Sequence, residues 1–515
     1  MASDAPGPAV VHEPAPAPIS VARTTHSQRS GSGERPGIGE RMRTVLVWAG
    51  IATLVVLSVL ATAHLLADVD AVLGIRGGWS ALAGRLAPVV VLGVAGVVLA
   101  LIVTWLAGSS PRRELLAIAI GAVTLIGIRA FISSQLDSGR LGEPGVYLAM
   151  AESFLTPDWD FMGRPMAYSA ALAAAFAITE DRQLAIEAVN LLLALLAGGV
   201  VLGLTRGLYG ARAGALALLG YAVWPAGALM TVVSIPQTAF DLAIVAGAWA
   251  AVGMPPGWRG GALSGAIVGL AQYLRPMAPA LLPAFILARL WPGGSRRRRA
   301  GAVLVPIVFF LLVLTPVILY NLERTGTPSI STSDYGGHTL FIGTYEPSGG
   351  QFSQEADAAL TELAGPDLLA RSAKGAEIAL QRIRDDPLGI AALAVRKQDT
   401  LWGTEHFGVQ YGIKQGLADR PQHPAASTPL LLSQGFYALV LMAATAGVWL
   451  RRRDPDALIA LAIALIWTVS AMHALLEVRD RHHAYVVPVL LPLAALALVT
   501  LLGRAHRRLS RFRQP

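Results

Sequence analysis

The chain has 515 residues, of which 54% are hydrophobic and only 14% charged, against roughly 25% charged in an ordinary soluble domain. So apolar a chain cannot hide its hydrocarbon surface in one soluble core, which excludes a soluble enzyme, a nucleic-acid-binding module and global disorder. Lys and Arg outnumber Asp and Glu by 41 to 33, an excess that a membrane protein gathers in its cytoplasmic loops, and the lack of cysteine excludes disulfides, thiol catalysis and cysteine-held iron–sulfur clusters.

Residues 1–43, rich in Pro, Ala, Ser and Gly, read as a disordered cytoplasmic tail. The apolar run Val45–Ala67 follows, with no short hydrophobic segment near Met1, so it reads as a retained signal anchor and not a cleaved signal peptide. With 86–107 it forms two extra transmembrane helices over 44–114. A transmembrane core over 115–320 contains spans near 115–134, 183–205, 213–232, 236–253 and 301–320, each close to the roughly 20 residues a bilayer requires. The stretch 261–291 is broken by Arg275-Pro276 and reads as a hairpin of two short helices, because proline ends or kinks a helix. Spans near 429–450, 456–476 and 484–503 complete the C-terminal bundle over 429–503, and 504–515 is a basic cytoplasmic tail. The expectation is an all-α polytopic membrane protein with about twelve transmembrane helices.

The basic residues orient it. With the N-terminus inside, Arg41/Arg43, Arg112/Arg113, Arg206/Arg212, Arg259, Arg296–Arg299, Arg451–Arg453 and Arg504–Arg513 all fall on the cytoplasmic side. This places both termini in the cytoplasm and the chain in the plasma membrane. It requires that Met166–Thr179 not span, and as a helix of about 21 Å it is too short for a hydrocarbon core of about 30 Å. It is read as a re-entrant or interfacial helix on the outer side.

Two outer segments can then carry chemistry: the first extracytoplasmic loop, 134–182, and the longer 321–428, a loop or small helical domain. In the first, Tyr147, Met150/Ala151 and Phe154 recur at helical spacing, with Glu143 just before them at the mouth of the membrane cavity. A carboxylate there can serve as general base for a hydroxyl acceptor. Asp158-Trp159-Asp160 has the spacing of a short acidic metal motif; no metal is assigned, though a hard divalent cation on carboxylates stays open. Arg164 offers the planar fork suited to phosphate, and Arg275 is a cation in an apolar run, where it must face a cavity or reach the interface. Arg479, Arg481, His482 and His483 form a late outer cluster able to neutralise a phosphate; adjacent histidines lack the spacing of a helical zinc pair. His473, inside a span, reads as a satisfied bundle histidine.

The first loop resembles that of the C-fold glycosyltransferases (GT-C), in particular the protein O-mannosyltransferase and aminoarabinose transferase families. Those families show an acidic pair, an aromatic four residues on, Ala, an Asp-Trp step and a basic-Pro-Pro stretch. Glu143, Tyr147, Ala151, Asp158-Trp159 and Arg164-Pro165 stand at these places, with Pro144 for the second acid and Met166 for the second proline. Further matches are Gly269…Arg275-Pro276, the Gly/Ser-rich stretch from Asn321 to Gly349, Arg382…Asp386-Pro387 with Leu401-Trp402, and Glu477…Tyr485…Pro488, where Ala484 replaces the usual Arg. Together they cover roughly residues 115–505.

The resemblance implies an inverting membrane glycosyltransferase, hexosyl- or pentosyl-, that moves sugar from a polyprenyl-phosphate donor to a hydroxyl on a glycan, lipid or protein acceptor at the extracytoplasmic face. It implies Glu143 as catalytic acid/base, with Asp137 as the second candidate. Tyr147, Asp158, Arg164, Arg275, Arg479, Arg481, His482 and Tyr485 are then substrate-binding. Two rivals remain: a polytopic transporter or lipid flippase, and an inactive assembly protein of the same fold.

Overall fold

The computed structural model describes residues 38–73, 78–136, 143–157, 163–414 and 424–511. The chain divides into two units, Met1–Arg43 and Thr44–Pro515. Of the first, only the helical Ile38–Arg43 is described, so the expected tail lies outside the described residues. The second unit carries the membrane helices and the candidate site.

The N-terminal helices are α1 (Ile38–Leu73), α2 (Gly78–Ala107) and α3 (Pro111–Gln135), followed by the short α4 (Glu143–Ser153) and α5 (Ala167–Phe176). Then come α6 (Arg182–Tyr209), α7 (Ala211–Val223), α8 (Pro225–Leu229), α9 (Gln237–Ala248), α10 (Trp258–Gln272), α11 (Ala278–Leu290) and the long α12 (Arg296–Thr325). A polar helical segment follows: α13 (Gly336–Gly343), α14 (Gln354–Ala364), α15 (Leu368–Asp385), α16 (Pro387–Trp402) and the single turn α17 (Phe407–Val409). The bundle closes with α18 (Pro424–Arg451), α19 (Ala457–Leu475) and α20 (Val487–Arg511).

Local chemistry sets the starts and stops. Ser110, Asp181, Ser295, Asp386 and Asp456 each accept a backbone N–H in the first turn of α3, α6, α12, α16 and α19. Gly326, at φ 72°, ends α12 in the left-handed conformation that glycine adopts without steric cost. Gly265 serves close approach: a Cβ there would lie 2.1 Å from the Pro306 carbonyl oxygen, so α10 and α12 pack backbone to backbone.

Among the described residues, eight helices are long and apolar enough to cross a bilayer, and the chain is a multi-pass membrane protein. A ninth crossing is formed if Ala211–Val223 and Pro225–Val232, bent by 54° at their junction, count as one. The bend has a local cause: proline bars the residue before it from helical geometry, and Trp224 sits at ψ 107°. The remaining three of the expected twelve do not qualify. Gln237–Gly253 ends in a π turn, and α10 and α11, at about 22 and 20 Å, fall short of the hydrocarbon thickness. The ten-residue α5 is shorter still, as the charge pattern required.

Among the side chains that tie the polar segment to the bundle, Lys397 makes the most bonds. Lys397 on α16 is almost fully buried and donates to the carbonyls of Gly343, Ala474 and Leu476 at 2.8, 3.1 and 2.7 Å. Three acceptors for three ammonium hydrogens satisfy the group and hold α16 against the ends of α13 and α19.

Candidate functional site

The site is built around the first turn of α4. Ser169 on α5 donates to the Tyr147 carbonyl at 2.9 Å, and the Tyr147 and Tyr168 rings meet edge to face at 6.1 Å. Tyr168 in turn donates to Asn190 at 3.0 Å, whose amide reaches the carbonyls of Met230, Thr231 and Val233. Ser234 donates to the Pro144 carbonyl at 3.2 Å. Glu143 and Tyr147 are therefore held from α5, α6 and the chain after α8.

Three arginines from distant parts of the chain converge on that turn. Arg481 Nη1 donates to Glu143 Oε2 at 2.5 Å. The turn carrying Arg481 is fixed by Asp480, which accepts from the Arg481 and His406 backbone N–H groups at 2.9 and 2.8 Å. Arg275 lies between α10 and α11 and donates to Gln237 at 2.7 Å, which donates to Asp241 at 2.8 Å. Arg164 stacks on Tyr335, its guanidinium carbon 3.8 Å from the ring centroid. The Nε atoms of all three arginines are buried without a hydrogen-bond partner among the described residues, and so is the hydroxyl of Tyr485, whose ring packs edge-on against Phe240.

The electrostatics follow. Burial pushes the Glu143 carboxyl up, but the positive charges of Arg481, Arg164 and Arg275 outweigh it and hold the group at about 2. Burial and the Glu143 charge together push the Tyr147 phenol up to about 12. Burial works against the Arg164 charge, yet Glu143 and Tyr147 more than compensate. One ionised carboxylate beside three guanidiniums leaves a surplus of positive charge, with buried N–H groups still to be satisfied. That combination suits an anion presenting several oxygens, such as a phosphate.

Glu143, Tyr147, Arg164, Arg275 and Arg481 thus come together, with Tyr485 beside them. Asp137 and Asp158 lie outside the described residues. Arg479 stands apart: it donates to Glu477 at 3.2 Å and lies over Phe352. His482 accepts from the Arg479 backbone at 3.2 Å and stacks on His473 at 4.3 Å. The structure corrects two expectations. His483 is fully buried, with Nδ1 on the Leu401 carbonyl and Nε2 on Glu405, so it cannot meet a phosphate. His473 is only half satisfied: Nδ1 donates to the Glu477 carbonyl at 2.6 Å, while Nε2 is buried without a partner among the described residues. Ala484 is buried too, and the guanidinium that reaches Glu143 belongs to Arg481, one turn earlier.

Sequence reasoning misses Gln237, Asp241, Tyr335 and Tyr411, the last of which lies under the Arg481 guanidinium at 5.2 Å. Gln237 and Asp241 carried a signal, being polar residues one helical turn apart in an apolar run. No three His, Asp or Glu side chains among the described residues converge as a metal set would, and Glu143 already holds a guanidinium.

No family model matches the sequence, and no curated protein matches it. Among solved structures, it is similar to the archaeal oligosaccharyltransferase AglB from Archaeoglobus fulgidus in complex with an inhibitory peptide and a dolichol-phosphate. That match has 15% identity and a TM-score of 0.45 over 78% of this chain and 52% of the other. The A. fulgidus enzyme tethered to an acceptor peptide matches at 14% identity and a TM-score of 0.48, over 78% and 51%. ArnT from Cupriavidus metallidurans bound to undecaprenyl phosphate matches at 15% identity and a TM-score of 0.34, over 75% and 77%. The chain spans about half the length of the oligosaccharyltransferase structures. Likeness at this level bears on neither chemistry nor substrate.

Proposed function

We propose that the chain is an integral-membrane glycosyltransferase that moves a sugar from a polyprenyl-phosphate donor to a hydroxyl acceptor on the extracytoplasmic face. The observation that carries the reading is one ionised carboxylate, Glu143, set among Arg164, Arg275 and Arg481, whose buried Nε groups have no partner among the described residues. A glycosyl phosphate needs both: cations where the leaving phosphate gathers charge, and a base where the acceptor loses its proton. The ordered resemblance to GT-C motifs, in which Glu143 and Arg164 hold matching places, supports the same assignment.

The acceptor oxygen attacks the anomeric carbon from the face opposite the phosphate, inverting it. The bond from that carbon to the phosphate oxygen breaks, and its electron pair stays on the phosphate. The acceptor proton passes to Glu143. A carboxylate held at about 2 is ionised at any working pH but is a weak base. Donor phosphate competes for Arg481, and as that guanidinium turns to the phosphate, Glu143 loses its nearest cation and becomes more basic. Binding of the donor thus prepares the base.

The test is sugar transfer in membranes supplied with a panel of radiolabelled polyprenyl-phosphate sugars, with native membrane extract as acceptor. Transfer by the wild type, lost in Glu143→Gln at equal protein level, is the expected result. Loss in Asp137→Asn with Glu143→Gln active would move the base to Asp137. No transfer from any donor would favour the transporter or the inactive assembly protein.

A further inference from the structure

We infer that the N-terminal end of α12 forms a second binding site, for the phosphate headgroup of an anionic membrane lipid. It is separate from the arginine cluster around Glu143. Tyr335 of that cluster lies beyond the C-terminal end of α12, and the helix is about 45 Å long.

At this end the π turn Trp249–Gly253 after α9, with α10, α11, α12 and the first residue of α19, lines a cavity of about 410 Å³. Arg289, Arg297 and Arg298 line it, and no lining residue among those described is acidic. Arg289 closes one wall, donating to the carbonyls of Ala251 and Gly257 at 3.2 and 2.5 Å. Arg297 and Arg298 are exposed and form no ion pair among the described residues. Three guanidiniums held round one cavity without a carboxylate repel one another, and an anion between them removes that cost. The α12 N-terminus, whose Ser295 accepts from the Arg298 N–H, adds the positive end of a helix dipole.

The remaining lining says what kind of anion. On the same side of α12, Ala302 and Val305 follow Arg298 at helical spacing, so the cations at the mouth give way to hydrocarbon deeper in. Trp258 at the rim is largely exposed, as aromatic side chains are at a membrane–water interface. A free phosphate uses only the mouth. A phosphate carrying acyl chains uses mouth and wall together, and basic pockets between membrane helices suit such headgroups.

The experiment is thermal unfolding of the purified full chain in neutral detergent, with added phosphatidylglycerol, phosphatidylcholine or inorganic phosphate. Variants are Arg297→Gln/Arg298→Gln and, separately, Ala302→Trp, which fills the apolar wall and spares the charges. Phosphatidylglycerol is expected to raise the unfolding temperature of the wild type with at least about tenfold tighter apparent binding than phosphatidylcholine. Both variants are expected to lose most of that difference, while Glu143→Gln keeps it. An equal rise with inorganic phosphate, or a response unchanged by Ala302→Trp, would replace the lipid with a free anion. A phosphatidylglycerol response unchanged in Arg297→Gln/Arg298→Gln overturns the site.

Discussion

Arg481 and Glu143 lie 338 residues apart in the chain and meet across a 2.5 Å hydrogen bond. The contact joins the first loop after α3 to the turn that precedes α20, so the last membrane helix completes a site begun by the first short helix. With Arg164 and Arg275 beside it, the pair has a surplus of positive charge. The pair also makes the protein's acid response readable. Glu143 sits at about 2, below the roughly 4.3 of a free glutamate. Its ionised form is therefore bound more tightly in the folded state. That stabilisation is complete above about pH 4.3 and fades as pH falls toward 2. The wild-type unfolding temperature should drop more steeply over that window than that of Glu143→Gln. Parallel curves would show that the carboxylate gains nothing from its arginines.

Arg164 should resist conservative replacement. Its guanidinium carbon lies over the Tyr335 ring, 3.8 Å from the centroid, a contact of about 1–2 kcal/mol when partly desolvated, and Lys cannot reproduce both this contact and the fork. Arg164→Lys and Tyr335→Leu should each raise the KM for the lipid-linked donor about tenfold with a smaller effect on kcat. Full activity in Arg164→Lys would reduce the residue to a point charge.

Lys397 gives a structural prediction with a pH sign. Burial lowers its ammonium to about 8, only partly offset by Glu477. Between about 8 and the ordinary value near 10.4, the unfolded chain binds more protons than the folded one, so stability rises with pH across that window. Lys397→Met leaves the Gly343, Ala474 and Leu476 carbonyls without their donor, at about 1–3 kcal/mol for each group left buried. The variant should unfold several degrees lower and lose the rise between pH 8 and 10. Chemical denaturation in detergent at several pH values measures both.

The long helices are legible because each crosses hydrocarbon with its own apolar run. The bend at Trp224-Pro225 is legible too, once the proline is taken as a break and not as part of a span running to residue 232. In the site, Glu143, Tyr147 and Arg164 can be read from the order of the first-loop residues, and Arg275 from the contrast between a cation and its apolar neighbours. Lys397 and Glu405 give no such contrast. They stand in a polar segment where a charge looks solvated, and only tertiary packing buries them. Neighbouring residues on a tight turn also diverge: Arg481 reaches Glu143 while His483 turns into the bundle.

Glu405 and His483 supply the last prediction. Both are fully buried. Glu405 accepts from the Trp224 indole at 2.8 Å and pairs with His483 Nε2. The imidazole is stacked between Tyr437 at 4.5 Å and Trp402 at 5.6 Å, and its Nδ1 must carry the hydrogen, because the Leu401 carbonyl can only accept. Such a pair adds little over well-packed apolar side chains, but removing one partner strands the other in a dry core, at about 3–5 kcal/mol. Glu405→Leu and His483→Phe should each lower stability by that order. The double variant should recover much of the loss, giving a coupling above about 1.5 kcal/mol in a double-mutant cycle. Additive losses would mean that the Trp224 indole holds the carboxylate without the imidazole. Because the pair lies outside the arginine cluster, the double variant should also keep donor binding, whereas a phosphate role for His483 would abolish it.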